Sequence, residues 1–299
     1  FKLNSVYYFP AEMKLFGTAD ISSIIAIFTH GITDNPKIRR FKDKISCYEE
    51  RQIQNKDWEM IKNNQYCIPL QYDISLLSFA DKENNLIDLD AFCIANGLKF
   101  TREIDETRIN EKITNDGDIR FIKGYMINQF HFEVEEKYIS STIKLPESVY
   151  KWKIVWRDVS RNTQARRIKA TIIPPGFIAG NSLGVIYSED NNQTILKFLL
   201  GIINSFTFEF LARQRLVSNH VPAGILRKIA VPHFAPNNKL TMLVEQQLTG
   251  KDVTSQIEVC VAKLYSISLD TLKKILSTYA ISEEILKNIE TAWELEKTE

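Results

Sequence analysis

Lys151-Trp152-Lys153-Ile154-Val155-Trp156-Arg157-Asp158-Val159-Ser160-Arg161-Asn162-Thr163-Gln164-Ala165-Arg166-Arg167-Ile168-Lys169-Ala170-Thr171-Ile172-Ile173-Pro174-Pro175-Gly176 holds a strand, a polar loop and a second strand. The apolar, β-branched and aromatic run at 152–156 and the one at 170–173 suit strands, and Pro174-Pro175-Gly176 stops the second. Seven cations (Lys151, Lys153, Arg157, Arg161, Arg166, Arg167 and Lys169) face a single Asp158, a net of +6, in a chain whose 38 Lys and Arg against 37 Asp and Glu total only +1. Ser160, Asn162, Thr163 and Gln164 are interleaved with them. Guanidinium groups fork onto guanine or phosphate, and Asn and Gln pair with adenine, so the composition suits a DNA-reading loop between strands. A solvated basic loop is the plainer alternative.

Working outward, 120–127 and 130–134 read as short strands, and 183–187 as another. Residues 195–216 read as the strongest helix, with Leu196, Leu199, Leu200, Ile203, Phe206, Phe210 and Leu211 near a 3.6-residue period. Asn204-Ser205 in its middle suits a cap or a local hydrogen bond. Arg213, Arg215, His220, Arg227 and Lys228 form a second basic stretch fit for phosphate contacts. Ile229–Pro232 reads as a strand, and helices follow over 243–264, 269–279 and 284–295. The tail at 283–299 carries six Glu against two Lys, the pattern of a solvated helix face.

Towards the N-terminus, 87–95 reads as an amphipathic helix stopped by Asn96-Gly97. Residues 49–66 read as a linker or short helix. Residues 1–48 read as strands, with the apolar run Ser23–Thr29 as a buried one and Lys37–Phe41 as its solvent-facing partner. An opening on Phe1, Leu3, Val6, Tyr7, Tyr8 and Phe9 is unusually apolar for a terminus and suggests a fragment of a longer chain.

At 299 residues, 44% hydrophobic and 25% charged, the chain fits one large or two smaller globular domains rather than a disordered or disulfide-stapled one. Cys47, Cys67, Cys93 and Cys260 lack ligand spacing and read as free thiols in a reducing cytoplasm. No run has the length of a membrane helix, which makes the expected location cytoplasmic and membrane-free. Phosphate-binding glycine loops and HExxH are absent. So is the (Asn/Asp/Ser)-Pro-Pro-(Tyr/Phe) tetrapeptide of amino-methyltransferases, because Ile173-Pro174-Pro175-Gly176 has neither the amide nor the aromatic. A D…ExK spacing through Asp118, Glu135 and Lys137 could chelate Mg2+ and activate water, which leaves a small nuclease as a competing reading. A protein-interaction scaffold, suggested by the acidic tail, is a third.

Three phrases in order are similar to one family. Ile122-Lys123-Gly124-Tyr125-Met126-Ile127-Asn128-Gln129-Phe130 resembles the phrase that opens the target-recognition domain of adenine-specific type II restriction–modification methyltransferases, the fused type IIG enzymes included. Trp156-Arg157-Asp158-Val159 with Arg166-Arg167-Ile168-Lys169-Ala170-Thr171-Ile172-Ile173-Pro174 resembles the second, with Ile168 where the family usually has Thr. Leu199-Leu200-Gly201-Ile202-Ile203-Asn204-Ser205, Leu211-Ala212-Arg213, Asn219-His220 and Ile229-Ala230-Val231-Pro232 resemble the third, which type I specificity subunits share in looser form. Met13 to Phe28 resembles a strand that follows the catalytic tetrapeptide in that family.

The resemblance implies an α+β fold: a twisted mixed sheet with basic inter-strand loops and a helical C-terminal segment, preceded by closing strands of a methyltransferase domain. The implied division is 1–48 for those strands, 49–119 for a linker or helical connection, 120–235 for target recognition and 236–299 for the helical segment. It further implies sequence-specific binding of double-stranded DNA in phage defence, with no chemistry in this stretch. S-adenosylmethionine, with Mg2+ as a further candidate, would belong to an upstream catalytic domain of the parent protein. The expected DNA contacts are Lys123, Asn128, Gln129, Arg157, Arg161, Asn162, Gln164, Arg166, Arg167, Asn219 and His220, with a buried Arg157–Asp158 ion pair as the alternative use of Arg157.

Overall fold

A computed structural model describes residues 1–18, 21–32, 35–43, 45–70, 74–80, 85–140, 143–161, 164–236 and 238–296. The fold is α+β, but the strands form several small sheets rather than one twisted mixed sheet.

The quoted stretch forms the heart of one of them. Strands Ala170–Ile173, Lys153–Arg157, Leu183–Ser188 and Leu98–Thr101 pair in that order, each antiparallel to its neighbour, with Ile154 opposite both Ile172 and Ile186. Side chains alternate across a strand, and here both faces are covered. Ile154, Trp156, Ile172 and Ile186 join the main core with the C-terminal helices. Val155, Ile173 and Val185 face a second core with Ile122, Met126 and Phe177. Lys153 therefore points inward too: fully buried, it meets Glu103 at 2.5 Å and donates to the Phe177 carbonyl at 2.7 Å. One of the seven cations counted in the basic run is thus a core residue.

A second four-stranded sheet orders Phe177–Ala179, Ile119–Ile122, Tyr138–Ile139 and Ile113–Thr114, and Leu86–Asp88 pairs with Ala230–Pro232. The 49–119 stretch, read as a connection, so contributes strands to four sheets, most of Tyr48–Gln52 among them, besides the helices Asp57–Asn63 and Leu89–Ala95.

The expected single helix over 195–216 is two, Gln193–Ile203 and Phe206–Arg213, bent by 64°. The break is chemical. The Asn204 amide pairs with both backbone groups of Ala170, accepting from its N–H at 3.0 Å and donating to its carbonyl at 2.9 Å. Ser205 then caps the second helix by accepting from the Phe208 N–H at 3.1 Å. Among the described residues no single helix is long and apolar enough to cross a membrane; the bent pair has the composition, and it is packed inside the main core.

Helices Lys239–Leu248, Thr254–Leu264, Leu269–Leu276 and Glu283–Leu295 complete the C-terminal layer. The acidic tail docks on this chain. Ile289, Ala292 and Trp293 are buried in the core, Glu290 pairs with Lys273 at 2.6 Å, and Glu296 pairs with Lys263 at 2.9 Å.

Residues 1–52 form their own sheet, ordered Ser23–Thr29, Lys2–Phe9, Lys37–Phe41 and Tyr48–Gln52, over a small core of Leu3, Val6, Ile38, Ile53 and Ile61. Both expectations for its strands are reversed. Ser23–Thr29 is an outer strand whose Ile24, Ile25, Ile27 and Phe28 are exposed, while Lys37–Phe41 is an inner strand with Ile38 and Phe41 buried. Apolar content alone does not say which strand gains neighbours on both sides.

Candidate nucleic-acid interface

Two glutamates on the C-terminal helices organise the basic loop. Glu209 sits fully buried, accepting from the Arg167 backbone N–H at 2.7 Å and from Arg213 at 2.7 and 2.9 Å, with Arg166 at 3.4 Å. Glu258, from the helix Thr254–Leu264, accepts the Phe206 N–H at 2.9 Å and pairs with Arg166 at 3.4 Å. Arg166 also donates to the Asn204 carbonyl and lies over the Phe206 ring at 3.8 Å. Arg167, 3% exposed, donates to the carbonyls of Ser160, Leu216, Ser218 and His220, and burial pushes its pKa down to about 10.

The 122–130 phrase is held by the same frame. Arg157 donates to the carbonyls of Tyr125 and Ile127 and to Asn128 Oδ1 at 3.3 Å. The anticipated Arg157–Asp158 pair does not form, because neighbours on a strand point to opposite faces. Asp158 instead meets His220 Nδ1 at 3.0 Å and Arg102 at 3.9 Å. Gln129 donates to the Asn204 carbonyl at 3.1 Å. Phe130 next to it adopts a left-handed φ of 59°, uncommon for an aromatic residue; its N–H bond to the Ala170 carbonyl and its buried ring hold that turn.

The expected contact residues therefore divide. Arg157, Arg166 and Arg167 are engaged inside the chain, and Lys123 pairs with Glu106 at 3.0 Å. Asn219 is half-buried, its carbonyl accepting the Ser160 N–H, and His220 is exposed against Asp158. Arg161 and Gln164 are exposed. Asn162 lies outside the described residues. The second basic stretch is mostly engaged as well: Arg213 with Glu209, Arg215 with the Asn64 carbonyl at 2.8 Å, and Arg227 with Asp90 at 3.0 Å.

Asn128, Gln129, Gln164, Ala165, Arg166 and Lys169 line one open concavity of about 540 Å3. Residues more than thirty positions apart in the chain meet there because the Ile127–Asn128 and His131–Phe132 hairpin and the loop after Lys153–Arg157 are both bound to Asn204 and its neighbours. Lys169 was counted among the basic residues but not among the expected contacts. It is half-buried in this concavity, and burial lowers its pKa, with Arg157 adding to the effect. Glu209 and Glu258 escaped sequence reasoning altogether. The available signal was a lone carboxylate inside an apolar helical run, such as Phe206-Thr207-Phe208-Glu209-Phe210.

Glu135, one of the three residues of the nuclease reading, has an internal partner. Glu135 accepts the Tyr125 hydroxyl at 2.7 Å, which pushes that phenol up to about 12, and among the described residues no three metal-ligating side chains cluster.

Neither a protein-family profile nor the sequence of a curated protein matches the chain. Among solved structures it is similar to the type IIG restriction endonuclease BpuSI, at 10% identity and a TM-score of 0.47 over 98% of this chain and 44% of that one. It is also similar to the type IIL restriction-modification enzyme MmeI in complex with DNA, at 12% identity and a TM-score of 0.42 over 99% of this chain and 46% of that one. The chain spans less than half the length of either. The structural neighbours are thus restriction–modification enzymes at low identity, and at these scores the likeness decides neither fold nor activity.

Proposed function

We propose that this chain is the sequence-reading part of a restriction–modification adenine methyltransferase or fused restriction enzyme, and that double-stranded DNA lies across the 128–129 and 164–169 concavity. The observation that carries this is the meeting of Asn128, Gln129, Gln164 and Lys169 in one open recess beside exposed Arg161. The half-buried amides of Asn128 and Gln129, the exposed amide of Gln164 and an ammonium without a carboxylate partner among the described residues suit base edges, and an exposed guanidinium suits a phosphate. The frame of Arg157, Arg166 and Arg167 fixes the recess before DNA arrives, which lowers the ordering cost of binding. In this reading methyl transfer, with S-adenosylmethionine and an adenine flipped from the duplex, belongs to another part of the parent protein.

The test is a titration of the chain against labelled duplex DNA at several salt concentrations. Affinity is expected to fall steeply with salt, and Arg161→Ala to reduce the slope of log affinity against log salt by about one. Lys42→Ala, in the N-terminal sheet, is expected to leave the slope unchanged. A chain that binds no duplex at about 50 mM salt, or binds with a slope indifferent to Arg161, contradicts the proposal.

A further inference from the structure

The internal hydrogen bonds of the recess determine which polar atoms remain for a ligand. Arg157 donates to Asn128 Oδ1. A guanidinium can only donate, so the oxygen is the occupied end and the Asn128 Nδ2 donor is left. Gln129 Nε2 donates to a backbone carbonyl, which leaves the Gln129 Oε1 acceptor. Gln164 Oε1 accepts from the Ser160 hydroxyl at 2.9 Å, leaving the Gln164 Nε2 donor. Arg166 is held by the carboxyl groups of Glu209 and Glu258. Lys169 lines the recess with no carboxylate within ion-pair distance among the described residues and feels Glu209 only from farther away, so its ammonium is a cation of the lining without a salt bridge.

Among the described residues, the recess groups with no internal partner are therefore three donors, one of them cationic, and one acceptor. The major-groove edge of a G·C pair offers adjacent N7 and O6 acceptors on guanine and one N4 donor on cytosine. A·T places the adenine N6 donor between its acceptors and adds a methyl group. The usual adenine clamp takes both ends of one amide, and each amide here is anchored to the chain at one end. An ammonium that can only donate matches two adjacent acceptors and opposes the N6 amine.

Building on the DNA-reading assignment above, we infer that the recess reads a G·C base pair, with Lys169 on guanine N7 and O6 and Gln129 accepting from cytosine N4. A phosphate in the same place would leave the Gln129 oxygen facing acceptors only.

The experiment is selection of bound duplexes from a random pool by the wild-type chain and by Lys169→Met and Lys169→Arg variants, each checked for an unchanged urea midpoint. The wild type is expected to select a motif with at least one position where guanine is favoured over adenine by about tenfold. Lys169→Met is expected to bring that one preference to within about twofold while the other positions persist, and Lys169→Arg to retain it. Uniform weakening by Lys169→Met with the motif intact assigns Lys169 to a phosphate and overturns the inference, as does an adenine or thymine preference at the affected position. Both of those outcomes leave DNA reading standing. A wild-type chain that selects no motif overturns both.

Discussion

Glu209→Ala is expected to destabilise the chain by about 3–5 kcal/mol, the range for removing one partner of a buried ion pair. The carboxylate is fully buried and is the common acceptor for Arg166, Arg213 and the Arg167 backbone, while Arg167 itself is buried on carbonyls alone. Its removal leaves guanidinium groups at low exposure with the Glu258 carboxyl group as the remaining acidic neighbour, and leaves a backbone donor open. Glu209→Gln keeps the shape and one acceptor oxygen and is expected to lose less. Urea unfolding measures both; a Glu209→Ala chain within about 1 kcal/mol of wild type, the worth of a surface pair, means that the frame does not depend on this group.

The second large effect depends on pH. Burial raises the Glu258 pKa to about 7 from an ordinary 4.5, outweighing the opposing pull of Arg166 and of the Phe206 N–H. In the folded chain Glu258 keeps its proton up to about 7, while in the unfolded chain it loses it near 4.5. The folded state thus holds more protons between those values, and stability falls as pH rises through that window. The stabilisation is complete below the ordinary carboxylate range and gone above 7, a change on the order of 3 kcal/mol for one such group. Unfolding of wild type and Glu258→Gln at pH 5 and pH 8 reads it. Wild type is expected to lose on the order of 3 kcal/mol more than the variant between the two, and parallel losses would count against it.

Much of the central sheet was legible in the sequence because its signals are local. The 152–156 and 170–173 runs, the Pro174-Pro175-Gly176 stop and the 183–187 run each read correctly without knowledge of a partner. The tail was read as helical for the same reason, but the helix expected over 243–264 is two, Lys239–Leu248 and Thr254–Leu264. What could not be read depends on groups distant in the chain. Arg167 meets Glu209 across 42 positions, Lys153 meets Glu103 across 50, and Arg166 meets Glu258 across 92. A charge count over 151–176 sees the cations and none of these carboxylates. It therefore placed Arg157, Arg166 and Arg167 on equal terms with Arg161, though three of the four have internal partners. The helix break was half legible: Asn204-Ser205 announced a local hydrogen bond, but only the edge of Ala170–Ile173 shows why the axis turns there. Ser23–Thr29 misled through its apolar content, since an outer strand can be as β-branched as an inner one.

The division of labour among the arginines gives the interface its logic. Guanidinium groups with internal partners hold the 122–130 turn to the Lys153–Arg157 strand and Arg166 to the broken helix, and the recess opens between them. The account stands or falls on whether that recess faces DNA. Lysine acetylation of the folded chain, with and without saturating duplex, measures this by mass spectrometry at each residue. The account predicts that duplex slows modification of Lys169 several-fold while Lys42 and Lys274 react at unchanged rates. Equal modification of Lys169 with and without bound duplex would contradict it.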